Sequence, residues 1–114
     1  MVVPMDSTKL DLEQMRASAG AAARLLKAMA NEHRLLVLCH LLEGERSVGQ
    51  LNAELDLSQS ALSQHLAVLR EDELVATRRE SQTIYYRVAS DAVAAVLAAL
   101  HGIYCAAPAS RPRA

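Results

Sequence analysis

Aromatic residues are scarce in this sequence. Among its 114 residues there is no tryptophan and no phenylalanine, and the tyrosines are Tyr85, Tyr86 and Tyr104. Proteins that bind single-stranded nucleic acids stack successive bases on aromatic side chains. Three tyrosines are too few for such a platform, so the composition argues against a single-strand binder.

Long apolar runs and targeting segments are also absent. No apolar run approaches the roughly 18 residues that a membrane span requires. The first residues, MVVPMDSTK, lack the basic n-region and the apolar h-region of a signal peptide. We therefore expect a cytoplasmic protein without a membrane partner.

Neither sign of charge dominates the sequence. The 12 Lys and Arg residues oppose 13 Asp and Glu residues, which gives a formal net charge of −1. This balance does not by itself indicate a nucleic-acid binder, although it leaves room for a local basic face. With 52% hydrophobic and 22% charged residues, the chain has the composition of a folded protein, and its length corresponds to one domain.

Motifs of common enzyme classes are missing as well. The sequence has no Gly-rich phosphate loop, no paired His-Glu zinc motif and no nucleophile motif. We therefore predict that the protein is not an enzyme and that it uses no cofactor.

Helical periodicity accounts for the first part of the chain. Apolar residues recur at close to the helical period from Leu10 to Ala30, and Gly20 is a point where this stretch can divide in two. Asn31 is a suitable N-cap for a helix that runs to about Leu42 and ends at Gly44. The face of this helix that we expect to point inward comprises Leu35, Leu38, Cys39 and Leu42.

Two short helices and a hairpin follow. In SVGQ, Ser47 and Gln50 form the pattern of a capping box, which opens a helix to about Leu55. After the DLS turn, a helix from about Ser58 to Glu71 is expected to bury Leu62, Leu66 and Leu69. The period then changes to two in LVATRRE and TIYYRVA, which predicts a β-hairpin around SQ.

Helix, tight turn, helix and hairpin are together the elements of a winged helix-turn-helix. We predict a mainly α (α+β) fold with five to six helices and one β-hairpin wing. The expected organisation is an N-terminal tail at 1–9, a domain at 10–105 and a C-terminal tail at 106–114. Within the domain we place the helix-turn-helix at about 47–71, the wing at about 74–89 and a last helix at about 91–105, apolar on nearly every face.

The second helix of the helix-turn-helix carries a face suited to DNA. Opposite its leucines, Ser60, Ser63, Gln64 and Ala67 form a small, uncharged polar stripe. Such side chains suit close approach to base edges in the major groove, where glutamine pairs with adenine in a bidentate way. Gln59 and Ser60, at the helix start, are placed to reach phosphates. The alternative is an ordinary surface helix.

Four further residues complete the predicted DNA-binding set. Arg78 and Arg79 lie near the tip of the predicted wing, and Arg87 lies on its returning strand. For these arginines the alternative is a solvated edge strand. We expect His65 to orient the recognition helix or to contact a phosphate.

The residues of this region resemble a known family. SVGQLNAELDLSQSALSQHLAVLREDELVATRRESQTIYYRV is similar to the DNA-binding core of the ArsR family of bacterial winged-helix repressors. LLKAMANEHRLLVLCHLL, LSQSALSQHLAVLR and the paired cysteines resemble the sulfide- and redox-responsive branch of that family, over about Leu25 to Cys105. The resemblance implies a homodimer that packs through its first and last helices and binds an inverted-repeat operator in double-stranded DNA. Glu73 departs from the family, whose members commonly carry glycine there.

Cys39 and Cys105 are the two cysteines of the chain. From the residues alone, Cys39 is either a buried core thiol or a reactive or metal-binding group. The candidate ligands for metal sensing are Cys39 with His40 and His101 with Cys105. Zn²⁺, however, favours four ligands. We assign no residue as a metal ligand.

The resemblance changes the interpretation of the two cysteines. It implies that Cys39 and Cys105 of one subunit become bridged by reactive sulfur species, such as persulfides, or by other oxidants. The bridge would be a disulfide or a chain of several sulfurs, and the reduced protein would be the form that binds DNA. The alternatives are a metal-responsive ArsR-type repressor and a dimeric protein-interaction module.

Overall fold

The computed structural model describes residues 11–105, and the predicted tails at 1–9 and 106–114 lie outside the described residues. It confirms the predicted fold class, a mainly helical winged helix-turn-helix. The helices are α1 (Leu12–Met29), α2 (Glu32–Glu43), α3 (Val48–Glu54), α4 (Gln59–Glu71) and α5 (Asp91–Tyr104). The strands are β1 (Arg46–Ser47), β2 (Val75–Glu80) and β3 (Thr83–Val88). Within residues 11–105, none of the helices has the length and hydropathy of a membrane span.

Helix α1 is continuous through Gly20, so the division considered at that position is wrong. Its N-cap is Asp11, whose carboxylate accepts hydrogen bonds from the backbone N–H groups of Glu13 and Gln14. A glycine inside a helix costs about 1 kcal/mol relative to alanine. The alanines on both sides of Gly20 are the best helix formers, so this cost does not break the helix.

Helix α2 begins after Asn31 and ends at Gly44, as predicted, but its buried face differs from the expected one. The buried residues are Val37, Leu38 and Leu41, whereas Cys39 and Leu42 are exposed. Because this helix is apolar on most sides, its periodicity does not select one face. The face is selected by the neighbours, since α2 packs against β3, α4 and α5.

The helix-turn-helix forms as the capping signals indicate. The Ser47 hydroxyl accepts from the N–H of Gln50, and the Gln50 side chain accepts from the N–H of Ser47. The Asn52 side chain donates to the carbonyl of Leu57 at 2.7 Å and so holds the turn before α4. Helix α4 buries Leu62, Leu66 and Leu69, which confirms the predicted inward face.

The wing contains one strand more than expected. β2 and β3 form the predicted antiparallel hairpin, and β1 pairs with the other edge of β3, giving the order β1-β3-β2. A two-residue strand shows no recognisable period in a sequence, so β1 could not be predicted. Its pairing brings Arg46 opposite Tyr86 and places the end of α2 beside the wing.

Helix α4 ends in a Schellman motif with glutamate in the position that favours glycine. Glu73 has φ +63°, its N–H donates to the carbonyl of Arg70, and the N–H of Leu74 donates to that of Leu69. Leu69 and Leu74 are both buried, which adds the apolar contact typical of this motif. The helix therefore ends with the hydrogen bonds of a glycine-capped helix, and the backbone of Glu73 carries the strain.

Glu73→Gly is expected to raise the free energy of unfolding by about 0.5–1 kcal/mol, because glycine adopts positive φ without the steric cost of a Cβ. Chemical denaturation measures the change. In the control Glu71→Gly, the glycine lies in the helix itself and is expected to destabilise by up to about 1 kcal/mol. Destabilisation by both substitutions would show that Glu73 is not strained.

Candidate DNA interface and dithiol pair

The predicted recognition residues lie together on the exposed side of α4. Gln59, Ser60, Ser63 and Gln64 are all exposed, opposite the buried leucines. Ser58 caps the helix by accepting a hydrogen bond from the N–H of Ala61 at 3.1 Å. The small polar face is therefore displayed by a helix that is capped at its start and anchored in the core behind it.

A groove beside this face contains a cation that the sequence interpretation missed. Ser63, Ala67, Arg70 and Glu71 line a cavity of about 420 Å³ with Tyr86 of the wing. Ser63, Ala67 and Arg70 follow the helical spacing i, i+4, i+7, so extending the predicted stripe by one turn would have found Arg70. Arg70 is exposed.

The three predicted wing arginines are divided between the two faces of the hairpin. Arg79 shares a sheet face with Tyr86, because alternate residues of β2 and the partners in register point the same way. This is the side of the groove next to α4. Arg78 and Arg87 lie on the opposite face, together with Tyr85.

Arg78 is held by two carboxylates. Its Nε lies 2.9 and 3.0 Å from the carboxylate oxygens of Glu45, its Nη1 lies 3.1 Å from Glu80, and its guanidinium lies 4.7 Å from the Tyr85 ring centroid. The hydrogen bonds to Glu45 and Glu80 raise the pKa of Arg78, which is charged in any case. Glu45 was not predicted, because only the β1–β3 pairing brings it to the wing.

His65 differs from its neighbours on α4 because its ring contacts α2. Its Nδ1 lies 3.3 Å from Nη1 of Arg34, and its ring centroid lies 5.7 Å from that of His33. Partial burial, the Arg34 charge and His33 together lower the pKa of His65. The structure thus places His65 at the junction of two helices.

The two cysteines lie on the two helices that frame one groove. Cys39 is on α2, Cys105 is the C-cap of α5, and both are free and exposed, so the alternative of a buried Cys39 is wrong. Partial burial, then the charge of Cys105 and that of Glu43, raises the pKa of the Cys39 thiol. The groove of about 390 Å³ next to Cys39 is lined by Leu42, Glu43, Ala94, Leu97, Ala98 and His101.

The metal-sensing alternative requires several ligands close to one another. Among residues 11–105, no three His, Cys, Asp or Glu side chains are arranged to hold one ion. His40, which follows Cys39, instead pairs with Glu54 of α3, with Nδ1 3.0 Å from Oε1. Residues 11–105 therefore offer no side-chain geometry that favours the metal-sensing alternative.

Comparison with known proteins decides the family. The family model described as a bacterial regulatory protein of the arsR family matches residues 31–77. The transcriptional activator HlyU of Vibrio cholerae is 54% identical over 98 residues, which cover 86% of this chain and 91% of HlyU. This chain belongs to the ArsR family. A biofilm growth-associated repressor of Agrobacterium fabrum is 47% identical to this ArsR protein over 103 residues, or 90% of the chain and 88% of the repressor.

A solved structure supports the same conclusion for the ArsR fold. The structure of reduced HlyU from Vibrio cholerae superposes with a TM-score of 0.76 at 55% identity, covering 82% of this chain and 98% of that one. This ArsR protein is accordingly a DNA-binding transcriptional regulator. One relative is named an activator and the other a repressor. The comparisons therefore show regulation of transcription, but not whether it is activation or repression.

Proposed function

We propose that this ArsR protein is a dithiol sensor that binds an inverted-repeat operator as a reduced homodimer. Formation of a bridge between Cys39 and Cys105 releases the operator. The observation that carries the proposal is that Cys39 lines the groove between α2 and α5, that Cys105 is the C-cap of α5, and that both thiols are free and exposed. The charge of Cys105 also contributes to raising the pKa of Cys39, after partial burial. The solved HlyU structure described as reduced adds support from a relative.

The DNA-binding surface combines the recognition helix and the wing. Helix α4 enters the major groove with its exposed polar face, and Arg79 approaches from the same side of the hairpin. Arg78 and Arg87 reach the backbone from the outer face of the wing. The residues that we propose to contact DNA are Gln59, Ser60, Ser63, Gln64, His65, Arg78, Arg79 and Arg87. We add Arg70 to this set because it is exposed and lines the groove beside the same face.

The proposed dimer buries apolar residues that a single chain exposes. On α1, Leu12, Met15 and Leu26 are 68%, 48% and 54% exposed, and on α5 Ile103 is 62% exposed. Large apolar side chains exposed along two helices are typical of a protein–protein interface. A two-fold dimer places two recognition helices on half-sites about one helical turn apart.

An organic persulfide is the oxidant that forms the bridge between the two cysteines. One thiolate takes the outer sulfur of RSSH and releases RSH, which leaves a protein persulfide. The second thiolate attacks the protein-bound sulfur of that persulfide, so a disulfide forms and H₂S leaves. With a trisulfide RSSSR, each thiolate displaces one RS⁻ from the central sulfur, and a three-sulfur bridge forms with two RSH as products.

The bridge links the two helices that frame the groove, and it acts on the recognition helix through α2. Helix α2 packs against both α5 and α4. A covalent tie between Cys39 and the end of α5 therefore shifts α2 relative to the dimerisation helix. Since α4 rests on α2, the spacing of the two recognition helices changes with it.

Intact-mass measurement tests the chemical step. Reduced protein treated with an organic persulfide is expected to lose two hydrogens per chain, and peptide mapping is expected to join Cys39 to Cys105. The variants Cys39→Ser and Cys105→Ser cannot form the link and serve as matched controls. Protein that binds DNA but forms no Cys39–Cys105 species would refute the thiol switch, and metal ions would then be tested as inducers.

Glu45→Gln is expected to strengthen DNA binding by about two- to fivefold, because it frees Arg78 from a carboxylate and removes a negative charge beside the phosphates. The steepness of the salt dependence should increase by up to about one ion per subunit. Fluorescence anisotropy with a duplex selected by the reduced protein from a random pool measures both. Glu13→Gln removes the same charge on α1, and equal effects of the two variants would contradict the role of Glu45.

A further inference from the structure

Arg34 connects α2 to α1 and to the recognition helix α4. Its Nε donates to the carbonyl of Ala28 in the last turn of α1 at 2.6 Å, and its backbone N–H donates to the Asn31 side chain. Its Nη1 lies 3.3 Å from Nδ1 of His65 on α4. One half-buried residue at the start of α2 thus ties the end of α1 to the middle of α4.

The contact between Arg34 and His65 determines which ring nitrogen of His65 carries hydrogen. A guanidinium has donors and no acceptor, so Nδ1 must accept and therefore carries no proton. In the neutral ring the hydrogen then resides on Nε2. Partial burial lowers the pKa of His65 and so favours the neutral form. The charged or titratable groups that lower it further are Arg34 and His33, both on α2.

The Nε2 atom of His65 remains accessible. It makes no hydrogen bond within residues 11–105, and no buried side-chain nitrogen or oxygen in that part of the chain lacks a partner. Because Nε2 has no partner within residues 11–105, it is not one of the buried atoms and is accessible. His65 follows Gln64 on the helix that is proposed to enter the major groove.

We propose that Arg34 is a positioning residue for DNA recognition, which holds His65 as a neutral Nε2–H donor toward a DNA acceptor. This inference rests on the proposed DNA binding and is independent of the thiol switch. The acceptor is a phosphate oxygen or a purine N7, both of which accept one N–H. Because the donor is neutral, it adds affinity without releasing a counterion.

Long-range ¹H–¹⁵N NMR of the free protein tests the first half of this proposal. At neutral pH the His65 ring is expected to carry its proton on Nε2 alone. In Arg34→Gln the pKa of His65 is expected to rise, since one of its positive neighbours is removed. An Nδ1–H ring in the wild type, or a pKa that Arg34→Gln leaves unchanged, would overturn the proposal.

A double-mutant cycle under reducing conditions tests the second half. His65→Asn keeps an acceptor near the Nδ1 position but removes the Nε2 donor, and it is expected to weaken binding to the selected duplex about fivefold per subunit. Arg34→Gln should weaken binding by a similar factor, and the double variant by no more than either. The control Arg16→Gln removes the same charge on α1, and circular dichroism confirms that each variant folds.

The outcomes of the cycle separate the possible acceptors and the two proposals. If His65→Asn leaves the base preference unchanged, the acceptor is a phosphate oxygen. If the base preference is relaxed at one position of the duplex, the acceptor is a purine N7. Additive losses, or a reduced salt slope in His65→Asn, would overturn the role of Arg34. Failure of the reduced protein to select any duplex would overturn both proposals, while loss of thiol control alone would leave this one intact.

Discussion

Persulfide treatment of the reduced protein is expected to lower its affinity for the selected duplex about a hundredfold, which corresponds to about 2.7 kcal/mol. The physical reason is geometric, because a dimer gains its affinity from two recognition helices held at one spacing. A bridge that displaces α2 displaces α4 in both subunits. Fluorescence anisotropy at fixed salt, before and after treatment and again after reduction with dithiothreitol, measures the change and its reversal.

Two serine variants make this result specific to the dithiol. Cys39→Ser and Cys105→Ser are each expected to bind like the reduced wild type and to keep that affinity after treatment. Loss of binding by a treated serine variant would mean that modification of one thiol suffices, and the bridge would not be the signal. If fully bridged wild-type protein still bound the duplex, the release mechanism would be wrong. The fold and the DNA interface would not be affected by that result.

Leu66→Ala is expected to lower the free energy of unfolding by about 2–5 kcal/mol, because it removes a fully enclosed side chain and leaves a cavity. Leu66 is 1% exposed and lies on α4, directly behind the recognition face. Chemical denaturation of the reduced protein measures the loss. A domain of this size has a total stability of about 5–15 kcal/mol, so this one substitution removes a large share of it.

Val68→Ala is the matched control for this substitution. It lies two residues further along α4 and is 37% exposed, so its truncation leaves no enclosed cavity. We expect a change of less than about 1 kcal/mol. Equal destabilisation by the two variants would contradict the packing of α4 through Leu66, and hence the orientation of its polar face.

The candidate site could be predicted only in part, for reasons that particular residues illustrate. The stripe of Ser60, Ser63 and Gln64 follows from helical spacing and from the leucines opposite, both of which are local. Arg70 follows the same helical spacing, but the predicted stripe ended at Ala67 and so did not include it. Glu45 has no local signal, since it reaches Arg78 across 33 residues through strand pairing.

The sequence by itself determined the elements and the family of this protein. Caps such as Ser47 and Asn31, the leucines of α4 and the period of the hairpin act over a few residues, so they are readable without a structure. These signals specify the winged helix-turn-helix and the recognition face. They also carry the resemblance to the ArsR family.

Only the tertiary structure decided which face of an apolar helix is buried and which distant side chains meet. Helix α2 is apolar on most sides, and its packing against β3 and α5 turned Val37 inward and left Cys39 beside the groove. The contacts of Arg34 with His65 and of Glu45 with Arg78 join residues 31 and 33 positions apart. Such contacts depend on how whole elements pack, because burial and charge pairing act through space and not along the chain.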